Sequence, residues 1–291
     1  MGFIVTGIEK ETGFLTFGPL GGWFDQVLLG QRVVVRGSRG DLLGVIASKP
    51  PHILPADELD KVVKKDKMFI DIGATSKEDA EKMGVRIGDP VMPWSPFTTM
   101  RDGRMALGKA FDDRIGAFVA MQVIRELKQK QVKHPNTVYG AATVMEEVGL
   151  RGATTVPHLV DPDVGLVLEV DIAGDVPEIK PQEAPSRLGK GPSIVTFDAS
   201  MVPNPALKEF VIKTAEQHKI PYQLSFTARG GTDAGRIHKI GCPSIVIGVP
   251  TRHIHSHAGL LSLEDCENTI KLTIELIKKL DAKTVESLTS M

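Results

Sequence analysis

The residues that could do chemistry fall in four short stretches. They are LGKAFDDRIGA (107–117), TVMEEVGLRGA (143–153), LVLEVDIAGD (166–175) and VPTRHIHSHAG (249–259). Each sets a carboxylate or imidazole at or just past the end of an apolar run. Carboxylates and imidazoles gathered from separate segments are the ligand set of a hard or borderline divalent cation. In open α/β sheets the crevice beyond the carboxyl ends of the strands is where ligands bind, so the four stretches are expected to converge in one cleft.

Each stretch also has a structural reading. Asp112 and Asp113 stand where a helix begins, and an Asp there ordinarily caps the first turn. Glu146 and Glu147 follow an apolar run and fit either a solvated acidic turn or a cation that relieves their mutual repulsion. Glu169 interrupts the apolar run LVLEVDI. A carboxylate in a buried strand is costly unless it is paired or binds metal, and the alternative is an edge strand with Glu169 facing out. His253, His255 and His257 alternate, so in an extended chain all three would share one face and could imitate a zinc site. Otherwise two of them are polar loop residues.

The elements that must position these residues divide the chain near residue 95. Over residues 3–50, short β-prone runs (GFIVTGI, GFLTFGPL, QVLLGQRVVVRG, DLLGVIAS) alternate with Gly-rich turns, as in a small barrel or sandwich. One helix is expected before the boundary at 95, capped by Ser76 and stopped at Gly84. Past a Pro-bearing connection (Pro90, Pro93, Pro96) the pattern becomes α/β. Strands are expected at TVYGAATVM, DVGLVLEVDI, PSIVTFD, PYQLSFT and PSIVIGVP. Helices are expected over 113–129, 204–218, 231–238 and 262–280.

Composition narrows the partners. Lys+Arg 35 against Asp+Glu 36 leaves no basic stripe to meet phosphates, which argues against nucleic acid. No apolar run approaches the ~20 residues that span a bilayer, which argues against a membrane. Cys242 and Cys266 make no disulfide framework or zinc knuckle, so a reducing, cytoplasmic location is expected.

AFDDRIG, EEVGLRGA, the IAGD strand end, GGTDAG (230–235) and PTRHIHS together resemble the signatures of the TET (tetrahedral) aminopeptidases, in the same order and spacing. That family includes glutamyl and deblocking aminopeptidases, some of them named endoglucanases. The resemblance runs along essentially the whole chain. It implies a two-metal peptidase that removes N-terminal residues from peptides, with an α/β/α metallopeptidase catalytic domain (96–291) and a β-rich, barrel-like oligomerisation insert (1–95). Homo-oligomers are implied, as dimers and dodecamers. By the same resemblance Asp112 bridges two divalent metal ions, Glu147 and His255 hold one, Glu169 holds the other, and Glu146 is the general base. Asp171 competes with Glu169 for its role, and His253 and His257 have no ligand counterpart. Zinc is the first expectation for the metal, with cobalt or manganese as alternatives.

In relatives of the family about seventy residues, ending in a His-x-Asp-Glu motif, precede the position of Gly2, and no histidine of this chain stands before His52. The second metal site is therefore expected to be weakened and the catalytic domain to lack its leading strands. The rival readings are a catalytically impaired product or assembly subunit of the same fold and, less favoured, an endoglucanase. Two Trp and two Tyr offer little for stacking sugars.

Overall fold

The computed structural model describes residues 1–289. These form two compact units, one of residues 1–97 with 255–258 and the other of residues 98–254 with 259 onward. The first unit contains β1 (Gly2–Ile8), β2 (Leu15–Leu20), β3 (Arg32–Gly37), β4 (Gly40–Ala47), β5 (Phe69–Asp71), helix α1 (Lys77–Met83) and β6 (Pro90–Pro93). Its strands close into a barrel in the order β1-β2-β5-β4-β3-β6, and β6 returns to pair antiparallel with β1. Closure leaves no strand edge open. Alternation puts Phe3, Val5, Leu15, Val33, Val35 and Ile46 inside, where they are all but fully buried.

Helix α1 begins and ends where its sequence directs. The Ser76 hydroxyl accepts from Asp79 N at 3.2 Å, and Gly84 closes the helix at φ +103, a backbone conformation suited to glycine. Of the expected run QVLLGQRVVVRG, only the second half becomes strand. Asp25–Val27 instead forms a turn of 3-10 helix.

The second unit holds β7 (Thr98–Met100), β8 (Met105–Gly108), α2 (Phe111–Gln129), α3 (Arg151–Val160), β9 (Gly165–Ile172), β10 (Ser193–Val195), α4 (Pro205–Gln217), β11 (Gln223–Ser225), α5 (Ala234–Ile237), β12 (Ser244–Arg252), β13 (Gly259–Ser262), α6 (Leu263–Lys279) and α7 (Ala282–Thr289). The sheet runs β11-β10-β12-β13-β8-β7, with β9 parallel to β12. Its core shows why β12 reads as an unbroken apolar run. Ile245 and Ile247 pack toward Leu207 of α4 and Leu272 of α6, whereas Val246 between them packs against Ala234 of α5. A strand covered on both faces needs apolar residues at both parities. This is the α/β/α sandwich that the family resemblance implies, and it bears out the α/β pattern of the sequence.

One expected strand is absent. Thr137–Met145 (TVYGAATVM) has strand composition but joins no ladder among the described residues, and β9 pairs with β12 alone. β-propensity reflects a neighbour to pack and bond against, which this run does not have here. Helix α3 follows instead, unforeseen because Pro157 lies within it.

Candidate metal centre

The start of α2 separates the two adjacent aspartates. Neither Asp112 nor Asp113 has helical dihedrals, and the peptide bond between them is cis. Asp113 takes the capping role, with Oδ1 accepting from Gly116 N at 2.8 Å. Three residues from cap to bonded N–H is the N-cap geometry, so the bond expected of either aspartate is made by the second. Gly116 is required by proximity, since a Cβ there would run into the Leu168 carbonyl oxygen of β9 and the Asp113 carboxylate.

The Glu146–Glu147 pair sits on a loop folded back on itself. Gly149 N and Leu150 N both donate to Glu146 O, at 3.0 and 2.8 Å, and Gly152 N donates to Val144 O at 2.8 Å. Met145, Gly149 and Leu150 all have positive φ. Both carboxylates are half-buried, so the fully solvated acidic turn is not what forms.

Glu169 lies within β9 and is only 8% exposed. The outward-facing edge reading is thereby corrected, because α2 covers this strand at Gly116. Burial, then the negative charges of Asp113 and Asp112, hold the Glu169 carboxyl well above its ordinary range. Asp113, hydrogen-bonded to Glu169, is pushed up to about 8, chiefly by burial and also by the charge of Asp112. Asp112 and Glu146 add to the field on both groups. So much negative potential in a desolvated pocket suits a bound cation. Asp171, the competitor of Glu169, is buried and accepts from the Ser186 hydroxyl, and burial holds its carboxyl above the ordinary range. Its side-chain partner is a hydroxyl.

Strand β12 ends at Arg252, and the histidines follow on a turning loop. His253 and His255 have φ of +60 and +57, so the three alternating histidines do not share the face that an extended chain would give them. His255 Nδ1 lies 2.8 Å from the Gly22 carbonyl oxygen. Ligand atoms of Asp112, Glu147 and His255 all lie within 4.8 Å of one another, and the three residues are half-buried. Two carboxylates and an imidazole so grouped fit a divalent cation. Glu169 and Glu146 are not in this group.

The sequence pattern of M42 glutamyl aminopeptidases matches residues 1–272. The chain belongs to this family. A TET aminopeptidase structure from Thaumarchaeota archaeon SCGC AB-539-E09 is 66% identical and superposes with a TM-score of 0.97, covering 99% of this chain and 81% of that one. The lysyl aminopeptidase of Pyrococcus furiosus is 34% identical over 96% of this chain and 79% of its own length. The structure of the Pyrococcus horikoshii TET1 peptidase, described as assembling into a tetrahedron or a large octahedral shell, is 31% identical at a TM-score of 0.82 over 96% of this chain and 81% of that one. As an M42 peptidase the chain is a metal-dependent aminopeptidase. No helix among the described residues is long and apolar enough to cross a membrane.

Sequence reasoning passed over one participant. Asp113 read as a cap and nothing more, yet it is also the group whose charge, after burial, acts most strongly on Glu169. The doubled Asp-Asp was the available signal, because two adjacent carboxylates on a covered helix start cannot both be solvated.

Proposed function

We propose that Asp112, Glu147 and His255 hold a divalent cation, zinc first and cobalt or manganese as alternatives, and that Glu146 is the general base of peptide hydrolysis. The observation that carries this reading is the gathering of those three ligand atoms within 4.8 Å. When bound, such a cation supplies Lewis acidity and lowers the pKa of water toward neutrality. Glu146, next to Glu147 on the same folded loop, takes a proton from the attacking water. It then gives that proton to the amine that leaves as the C–N bond breaks. Glu147 neutralises cation charge while its neighbour stays free for proton transfer. Glu169 would be a ligand of a second cation shared through Asp112, the weaker site because no imidazole of this chain is assigned to it.

Titration of metal-free protein with zinc, followed by elemental analysis, tests the division. One tight and one weak or empty site are expected. Two sites of equal affinity would require a ligand not assigned here. Turnover is followed with aminoacyl anilides on the reconstituted protein, and leucyl, lysyl and glutamyl forms compare preferences.

Unblocked peptides are the proposed substrates and the first unit the proposed oligomerisation module, giving dimers and larger shells. The TET1 relative's tetrahedral and octahedral assemblies support that proposal. A cytoplasmic location fits the two free, buried cysteines, whose thiols burial pushes up to about 11 at Cys242 and about 12 at Cys266. Thiols so protonated do not readily oxidise.

A further inference from the structure

The GGTDAG segment (230–235) contributes nothing to the roles assigned above, yet it holds a buried carboxylate with a vacant acceptor. Asp233 is 7% exposed. Its Oδ2 accepts from the Thr143 hydroxyl at 2.5 Å, while its Oδ1 is buried with no hydrogen-bond partner. A buried, half-satisfied carboxylate costs stability, so its retention calls for a use. Thr143 stands three residues before Glu146, at the end of the run that joins no ladder among the described residues. For Thr137–Ala142 the structure offers no sheet bonds to hold the approach to Glu146. The Thr143–Asp233 bond is therefore a principal polar tie on that side of the loop.

The turn carrying Asp233 is itself tied by hydrogen bonds and close packing. Asp198 accepts from Ser200 N at 2.6 Å, Ser200 Oγ at 2.7 Å and Thr232 Oγ1 at 2.7 Å. Gly231 and Gly235 lie so close to Ser200 that a Cβ at either would collide with its side chain. On the far side of the acidic pair, an Arg236 guanidinium N–H donates to Gly149 O at 3.4 Å. The loop with Glu146 and Glu147 is thus braced before the acids by Asp233 and after them by Arg236.

We propose that Asp233 is a positioning residue of the aminopeptidase reaction, fixing the Glu146–Glu147 loop through the Thr143 hydroxyl. This rests on the roles given to Glu146 and Glu147 under the proposed function. Thr143→Val keeps the shape and removes the donor, whereas Thr143→Ser keeps the donor.

Three readouts separate positioning from a merely structural role. In metal-free protein, the amides of Gly149, Leu150 and Gly152 should exchange about tenfold faster or more in Thr143→Val and close to wild type in Thr143→Ser. In reconstituted protein Thr143→Val should lose roughly 10- to 100-fold in kcat with little change in KM, because small misplacements of a reacting group act on the chemical step. Serine should restore it. Combined with Asp233→Ala, Thr143→Val should be no worse than either change alone, since both remove one tie. This comparison holds even if a single variant is less stable. Wild-type exchange and kcat in Thr143→Val, or a serine variant as impaired as valine, overturns the inference. Glu146→Gln run alongside locates any failure. A dead Glu146→Gln with a fully active Thr143→Val removes the brace alone, while an active Glu146→Gln removes the role on which the brace depends.

Discussion

Arg252 grips Asp175 with two parallel bonds, Nε to Oδ1 at 2.9 Å and a terminal nitrogen to Oδ2 at 2.5 Å. The fork joins the end of β12, which leads into the loop of His255, to the IAGD turn after β9, the strand that carries Glu169. Burial raises the Asp175 carboxyl, but the Arg252 bond and charge, with the Leu188 N–H, outweigh it and leave it below the ordinary range. A carboxyl depressed in the folded state contributes stability that is complete above its unfolded value of about 3.9. That contribution is lost as the pH falls through the lower folded value. Thermal midpoints followed from pH 7 to below pH 3 should separate wild type from Asp175→Asn at neutral pH and narrow the gap as the pH falls past about 3.9 toward the lower folded value. A gap that stays constant to the lowest pH would show that the pair's electrostatics are not responsible. Arg252→Lys should lose the fork and about 1 kcal/mol at neutral pH.

Gly22 offers a test of how His255 is oriented. With Nδ1 donating to the Gly22 carbonyl, Nε2 keeps the lone pair that a cation requires. A Cβ at Gly22 would stand 3.2 Å from Nδ1 and 3.3 Å from Cε1, so the imidazole must tilt by a few tenths of an ångström. Gly22→Ala should weaken zinc binding by about 10- to 100-fold, the range for disturbed supporting bonds, with a near-normal thermal midpoint in the metal-free state. Unchanged affinity by calorimetric titration would mean that the imidazole's orientation is set elsewhere.

How far these features could be read in advance depended on the range of the interaction. Ser76 and Gly84 were readable because caps are local, and β12 because an apolar run flanked by helical segments must be covered on both faces. The four chemical stretches were readable as types and spacing. What residue types alone could not say was which of two adjacent aspartates caps the helix. Asp112 and Asp113 differ through contact with Gly116 and with Glu169, one of them more than fifty residues away. Thr137–Met145 misled because strand composition reports what a segment could pair with, and no ladder forms there. The three histidines alternated in sequence but turned in space, since positive φ at His253 and His255 depends on the loop and not on residue type.

Gly116 should be the least replaceable glycine near the site. Adding a methyl group drives it into the Leu168 carbonyl of β9, a backbone atom that cannot swing away as a flexible side chain would. Gly116→Ala should cost about 1–3 kcal/mol, as overpacking does, and should lower turnover through the displaced Asp113 and Glu169. Denaturant melts measure the first effect and the anilide assay the second. A fully stable and active variant would mean that α2 and β9 are less closely apposed.

The proposed division of labour sets two neighbours apart. Glu146 and Glu147 are adjacent, alike in chemistry and both half-buried, yet only Glu147 has a ligand atom in the group with Asp112 and His255. If one neutralises a cation and the other transfers a proton, amide replacements should fail in different ways. Glu146→Gln should bind zinc as wild type does and lose at least about 10²- to 10⁴-fold in kcat, the contribution of a general base. Glu147→Gln should lose zinc first, with turnover partly recovered at high metal concentration because its defect lies in occupancy. Metal content after dialysis, kcat at saturating zinc and the zinc concentration at half-maximal rate distinguish the two. Exchanged phenotypes would reverse the assignment, and identical ones would mean that both carboxylates serve the cation and the base lies elsewhere.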